Sequence, residues 1–139
     1  KKFNTAKTLV PEPVFGQSTQ SSTMGLVYFG TTDIGIPETM NLLKSRGIQL
    51  DTMRIRAFPF CEDVVSFIND HEQVFLVEQN RDGQMRSLLI TECEIDPAKI
   101  VPILNYDGFP ITATCIADMV SNLLGKQMSD ADAGNFAAE

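Results

Sequence analysis

The residues best equipped for chemistry in this chain stand where an apolar run ends. In "VFLVEQNRDGQM", Val74 to Met85, the run leads into Glu78, Gln79 and Asn80, then a turn and Gln84. A carboxylate closing a buried strand can act as a general base, cap a neighbouring helix or meet another chain. Proton transfer needs a group tuned to its reaction and a partner within hydrogen-bond reach. Glu78 has no His, Cys or Lys beside it, so catalysis is the weakest of the three readings. One charged acceptor and two amides that both donate and accept suit recognition of polar groups.

A second candidate is "GTTDIG", Gly30 to Gly35. It fails the G-x-G-x-x-G dinucleotide pattern at the second glycine. A helix starting after Thr31 and Thr32 could still hold an anion at Gly30, Thr31 and Thr32, although capping hydroxyls in a turn are the commoner use of such residues. Hydrolase chemistry lacks a G-x-S-x-G elbow. The single histidine, His71, falls at the polar end of a helix, where solvation or contact with the helix's negative end outweighs catalysis. Glu62-Asp63 and Glu92/Glu94 read as solvated carboxylates. Cys61, Cys93 and Cys115 are far apart and lack Cys-x-x-Cys spacing, so they read as reduced, packed thiols. Cys61 at a helix start is the one whose position could lower a thiol pKa. A phospho-acceptor receiver domain is excluded because Asp51 begins a strand instead of ending one.

The elements that must position these groups alternate. "GLVYFG" is a strand covered on both faces, and "TTDIGIPETMNLLKSRG" a helix with Pro37 in its first turn and Gly47 as its stop. "IQLDTMRIRAF" is a strand. "FCEDVVSFINDH" is a helix with Val64, Phe67 and Ile68 buried. "QVFLVE" is the third strand, and the next helix carries Asp82 as N-cap with Met85, Leu88, Leu89 and Cys93 on one face. "KIVPIL" is a strand that Pro102 confines to an edge. Thr112 caps a last helix, with Ile111 and Ile116 as a hydrophobic staple and Gly125 as its end. Such alternation predicts a three-layer α/β/α sandwich around a mostly parallel sheet of four to five strands. Four strands are clear. Residues 1–23 read as a linker, 24–125 as the domain and 126–139 as a flexible tail. Function in such sheets gathers at the carboxyl ends of the strands, here Gly30-Thr31-Thr32, Ala57 to Phe60 and Glu78-Gln79-Asn80.

At 139 residues and 43% hydrophobic, the chain can bury one real core. A net charge of −7 argues against nucleic acid and anionic membrane surfaces. No run approaches the ~20 apolar residues of a membrane span, and no signal segment opens the chain, so the expectation is a cytoplasmic protein.

Three stretches carry a resemblance: "LVYFGTTDIGIPETMNLLKSRGIQLDTMRIRAFPF", "VFLVEQNRDGQM" and "NYDGFPIT". They resemble the C-terminal domain of the alpha subunit of 2-oxoacid:ferredoxin oxidoreductases, a domain similar to that of transketolase. The resemblance runs from about Gly25 to Leu124. It implies a five-stranded mixed sheet with one antiparallel strand, whose fifth strand would have to come from the Val14–Gln17 region. It also implies a parent enzyme that oxidatively decarboxylates a 2-oxo acid on thiamine diphosphate with magnesium. Electrons would pass through an iron–sulfur cluster to ferredoxin, and an acyl-coenzyme A would form. By resemblance those cofactors belong to other domains of the alpha subunit or to the beta subunit of a heterodimer. This chain, inactive alone and holding no cofactor, would serve assembly, with Glu78, Gln79, Asn80 and Gln84 at the interface. "RIRAFPF" and "EQNRDGQM" are most like the branch acting on 2-oxoglutarate. Lys1 as first residue fits a piece of a longer subunit. The alternative is a stand-alone module binding an anion or partner at Thr31-Thr32.

Overall fold

The computed structural model describes residues 2–18 and 21–136, with side chains for 4–18 and 21–125. A five-stranded sheet runs in the order β1-β3-β2-β4-β5, formed by β1 (Val14–Gly16), β2 (Met24–Phe29), β3 (Asp51–Ile55), β4 (Gln73–Glu78) and β5 (Ile100–Leu104). β3, β2, β4 and β5 are parallel, and β1 joins β3 antiparallel. The helices are α1 (Lys2–Lys7), α2 (Ile36–Ser45), α3 (Glu62–Asp70), α4 (Gln84–Cys93) and α5 (Ala113–Phe136).

Alternation along the strands splits the core into two layers. Leu26, Tyr28, Phe75, Val77 and Ile103 face Ile36 and Leu43 of α2 and Ile116, Ala117 and Val120 of α5. Val27, Met53, Ile55, Val74, Leu76 and Ile100 face Val64 and Ile68 of α3 and Leu89 of α4. The expected three-layer α/β/α sandwich is therefore the fold. β4, an inner strand between β2 and β5, is buried along almost its whole length, from Val74 to Glu78. That explains why its sequence is a continuous apolar run: parallel strands covered on both faces have no polar side.

The local signals act as their chemistry dictates. Gly47 takes φ 75°, its N–H bonds the Lys44 carbonyl at 3.0 Å and the Ile48 N–H bonds Leu43 at 2.9 Å, closing α2. The Thr112 hydroxyl accepts from the Cys115 N–H at 3.2 Å, while Ile111 and Ile116 are buried together across that cap. Pro102 sits in β5, which pairs only with β4; an edge strand has one side with no ladder, so the missing donor costs nothing there.

The boundaries differ from the sequence reading. The stretch 1–23, read as a linker, contains α1 and β1. β1 supplies the fifth strand, pairing Val14 with Arg54 and Phe15 with Met53, while the Phe15 ring lies 5.8 Å from Phe67. Three residues are too few to show a period. α5 does not stop at Gly125, which is not in the left-handed conformation that ends helices, and its backbone continues to Phe136. The rest of the expected tail, residues 137–139, lies outside the described residues, as do the side chains from 126 onward. No helix among the described residues is long and apolar enough to cross a membrane.

Candidate functional site

Because β3, β2, β4 and β5 are parallel, their carboxyl ends open on one edge of the sheet, and the candidate residues lie there. Glu78 closes β4 and is fully buried. Its Oε1 accepts from the Met85 N–H at 2.7 Å and Oε2 from the Arg86 N–H at 3.1 Å. These are two of the donors that the first turn of α4 leaves without helical partners. The Asn80 amide adds a third bond to Oε1 at 3.0 Å. The carboxylate sits at the positive end of α4, where a negative charge is favoured. Glu78 therefore caps α4 within this chain, so the carboxylate expected at an interface already accepts three internal hydrogen bonds.

Asp82, expected as the cap, is exposed and pairs with Arg81 at 3.0 Å. The N-cap position belongs to Gly83, at φ 59° and ψ 45°. A Cβ there would lie 3.7 Å from Glu78 Oε2, so the left-handed turn brings the helix start onto the carboxylate. Asn80 is also consumed inside the loop, its Oδ1 accepting from the Asp82 N–H at 3.1 Å and the Gln84 N–H at 3.4 Å. Gln84 itself is exposed.

Gln79 does something the sequence did not disclose. Its Nε2 donates to Thr32 Oγ1 at 3.1 Å and its Oε1 accepts from the Ile111 N–H at 3.3 Å. One side chain thus braces the loop after β2 and the approach to α5 from the end of β4. The two candidate sites, Gly30-Thr31-Thr32 and Glu78-Gln79-Asn80, are one place in the fold.

The anion reading of Gly30, Thr31 and Thr32 meets a different local structure. These residues open a short 3-10 helix, Gly30–Gly35, and α2 begins only at Ile36. Thr32 is buried with its hydroxyl engaged by Gln79, and Asp33 places a carboxylate in the same turn. That carboxylate pairs with Arg54 at 2.9 Å and accepts from the Tyr28 hydroxyl. Burial, and then the Asp33 charge, push Tyr28 up to about 12, so it is a neutral donor. A turn already holding its own carboxylate does not recruit an anion.

His71 is buried at the C-terminal end of α3, not solvated. Its Nδ1 lies 2.6 Å from the Phe67 carbonyl and its Nε2 3.0 Å from Asp51 Oδ2. Asp51 also accepts from the Ser18 N–H and hydroxyl at 2.9 and 3.1 Å. Burial pushes the Asp51 carboxyl up, but the Ser18 and His71 bonds outweigh it and hold the group below its ordinary value. This network ties the segment after β1 to β3 and α3, at the edge opposite the candidate site. A lone His and an Asp at a strand start gave no sign of each other in sequence.

A metal ion or an iron–sulfur cluster does not fit the described residues. Among the described residues no group of three or more His, Cys, Asp or Glu side chains could hold a metal ion. Cys61 and Cys93 pack on one face of the sheet and Cys115 on the other, so they cannot gather around a cluster. Burial raises the Cys93 thiol, which favours its protonated form.

No protein-family model matches the chain. A curated relative, "2-oxoacid:ferredoxin oxidoreductase 2, subunit alpha" of Aeropyrum pernix, is 27% identical over 128 residues, covering 89% of this chain and 20% of the relative. A solved 2-oxoglutarate:ferredoxin oxidoreductase from Magnetococcus marinus, with 2-oxoglutarate, coenzyme A and succinyl-CoA bound, shares the fold at a TM-score of 0.73 and 21% identity, covering 86% of this chain and 21% of that one. The alpha chain of a probable 2-oxoacid ferredoxin oxidoreductase from Thermoplasma acidophilum matches at a TM-score of 0.53 and 23% identity, over 81% of this chain and 97% of that chain. The chain spans about a fifth of the length of the curated relative. In sequence the chain is similar to one domain-sized part of a 2-oxoacid:ferredoxin oxidoreductase alpha subunit, and it shares its fold with the two solved oxidoreductase chains.

Proposed function

We propose that this chain is the C-terminal assembly domain of the alpha subunit of a thiamine diphosphate-dependent 2-oxoacid:ferredoxin oxidoreductase. The parent enzyme would decarboxylate a 2-oxo acid oxidatively, form an acyl-coenzyme A and deliver electrons to ferredoxin. A 2-oxoglutarate type is the finer reading, supported by the likeness of "RIRAFPF" and "EQNRDGQM" to that branch. In this reading thiamine diphosphate, magnesium and the iron–sulfur cluster are held by other domains and by the beta subunit in the cytoplasm. The observation that carries the proposal is the match along 89% of this chain to a named alpha subunit.

The domain's own part is to present the carboxyl edge of its sheet, bordered by Gln79, Asn80 and Gln84, to the rest of the complex. On that edge Glu78 is engaged by α4, Asp33 by Arg54 and Tyr28, and Thr32 by Gln79. The test is to produce the subunit that contains this chain together with its partner subunit. Viologen or ferredoxin reduction should then depend on 2-oxoglutarate, coenzyme A and thiamine diphosphate, while the chain alone gives none. Turnover by the isolated chain, or none by the assembled complex with any 2-oxo acid, overturns the reading.

A further inference from the structure

Seven large apolar side chains are exposed among the described residues: Leu9, Val14 and Phe15 lie in the N-terminal segment, and four lie elsewhere. Ile34 is 84% exposed, Phe58 48%, Tyr106 64% and Phe109 75%. Single exposed hydrophobics are ordinary on any protein. These four, however, all lie in segments that follow carboxyl ends of parallel strands: Ile34 after β2, Phe58 after β3, Tyr106 and Phe109 after β5. Sheet order sets their sequence across the edge as Phe58, Ile34, then Gln79 on β4, then the Tyr106–Phe109 loop. With strands about 4.8 Å apart, the row from β3 to β5 spans about 14 Å, which is the scale of an interface centre.

The row is held in place. Gln79 bonds Thr32, two residues before Ile34, and the Ile111 N–H, two residues after Phe109. The Asp107 carboxylate accepts from the Phe109 N–H at 2.9 Å, and the Asn105 amide donates to the Phe109 carbonyl at 3.2 Å. The Phe58 ring stands edge-on to buried Phe60 with centroids 5.3 Å apart. A loop that spends its polar groups on fixing exposed rings is preorganised, and preorganised aromatic anchors lose little entropy on docking. Two ion pairs stand on this edge, Asp33 with Arg54 and Arg81 with Asp82, while the Asp107 carboxylate accepts from the Phe109 N–H. The edge therefore offers apolar contact among charges the fold already engages, on a chain whose total charge of −7 would make two copies repel.

We infer that Ile34, Phe58, Tyr106 and Phe109 form a docking surface, and that its occupant is an apolar, weakly charged face of another domain of the same alpha subunit. The inference rests on the alpha-subunit reading. In the curated relative four-fifths of the polypeptide lies outside the matched region, so a covering surface is available within one chain, without the entropy of a separate encounter.

The experiment uses the full-length alpha subunit in its complex, with benzoyl-phenylalanine placed in turn at positions 58 and 109, and at exposed Glu92 on α4 as background. Irradiation and peptide mapping are expected to give links from 58 and 109 to other parts of the same polypeptide, above the level at 92. Links to a second copy or to the beta subunit, or links no stronger than background, overturn the inference. If either replacement prevents assembly, hydrogen exchange supplies a second readout. In the full subunit, Tyr106→Ser with Phe109→Ser is expected to speed exchange over residues 105–112 by about tenfold or more relative to the parent; unchanged exchange overturns the inference. Reduction of ferredoxin is measured on the same preparations. Turnover without intrachain links sinks the surface alone, whereas links without turnover sink the catalytic reading alone.

Discussion

Replacing Glu78 in this chain by itself separates a cap from a contact. Were Glu78 a contact residue for another domain, its loss would leave the isolated chain's stability nearly untouched. The geometry demands the opposite. Glu78→Ala leaves the Met85 and Arg86 N–H groups, 2.7 and 3.1 Å from the lost oxygens, without acceptors at a buried site. Each orphaned donor costs roughly 1–3 kcal/mol, so the loss is about 4 kcal/mol, about a quarter or more of a typical domain's stability of roughly 5–15 kcal/mol. With a urea m-value of about 2 kcal/mol per M, the midpoint falls by about 2 M. Glu78→Gln retains one oxygen for one N–H but turns its amide donor towards the other, so about half the loss, ~2 kcal/mol, is expected. Asp82→Ala is the control: exposed and paired only with Arg81, it should change stability by less than about 0.5 kcal/mol. The assay is urea unfolding followed by far-ultraviolet circular dichroism. A Glu78→Ala chain within about 0.5 kcal/mol of the parent would refute the capping argument, and so would a Gln variant weaker than the Ala variant.

Three further outcomes are expected. Asp51 has a lowered folded pKa, so its contribution is present above the unfolded value of about 3.9 and is lost as pH falls through the folded value; the stability gap between the parent and Asp51→Asn should be widest near neutrality and narrow towards strong acid, and a gap that widens on acidification contradicts the sign. Ultraviolet titration of the phenolates should show one phase only near 12, which Tyr28→Phe removes; a late phase that survives the substitution belongs elsewhere. Gly25→Ala would set a Cβ 2.8 Å from the Phe67 ring, costing about 1–3 kcal/mol by overpacking, and Phe67→Leu in the same chain should recover part of the loss.

How much was legible in sequence follows from how far each signal reaches. Periodicity and capping are local, so β2 to β5, α2 to α4, the Thr112 cap and the edge position of β5 could be read from a few residues each. β1 has no such local signal, and only the resemblance pointed to Val14–Gln17: Val14–Gly16 is a strand because Met53 and Arg54, some forty positions away, present a free ladder. The same distance problem hid the site. Glu78 stood out as an acid at a strand exit, but its partners are the N–H groups of Met85 and Arg86, and backbone groups carry no side-chain identity. Asp82 was the conventional choice of cap by position. Glu78 took the role because β4 and the left-handed Gly83 aim the helix start back onto the strand end. A signal did exist in the spacing of Glu78, Gly83 and Gln84, but only a turn of known shape converts it into a cap.

The same logic explains why this edge reads as recognition and not chemistry. Catalysis needs a group kept in an unfavourable state, with a charge under-compensated or a donor left aimed at empty space. Here the reverse holds across the edge. The Glu78 carboxylate accepts from two backbone donors and an amide, Asp33 has a guanidinium and a phenol, and Gln79 uses both ends of its amide. Among the described residues no buried side-chain nitrogen or oxygen lacks a hydrogen-bond partner. A polar network satisfied to that degree is rigid. What it leaves outward is apolar: Ile34, Phe58, Tyr106 and Phe109, standing on loops that Gln79 and Asp107 hold still. The polar residues that draw the eye in "VEQNRDGQM" are thus the frame, and the contact surface is the set of hydrophobic side chains that the frame displays.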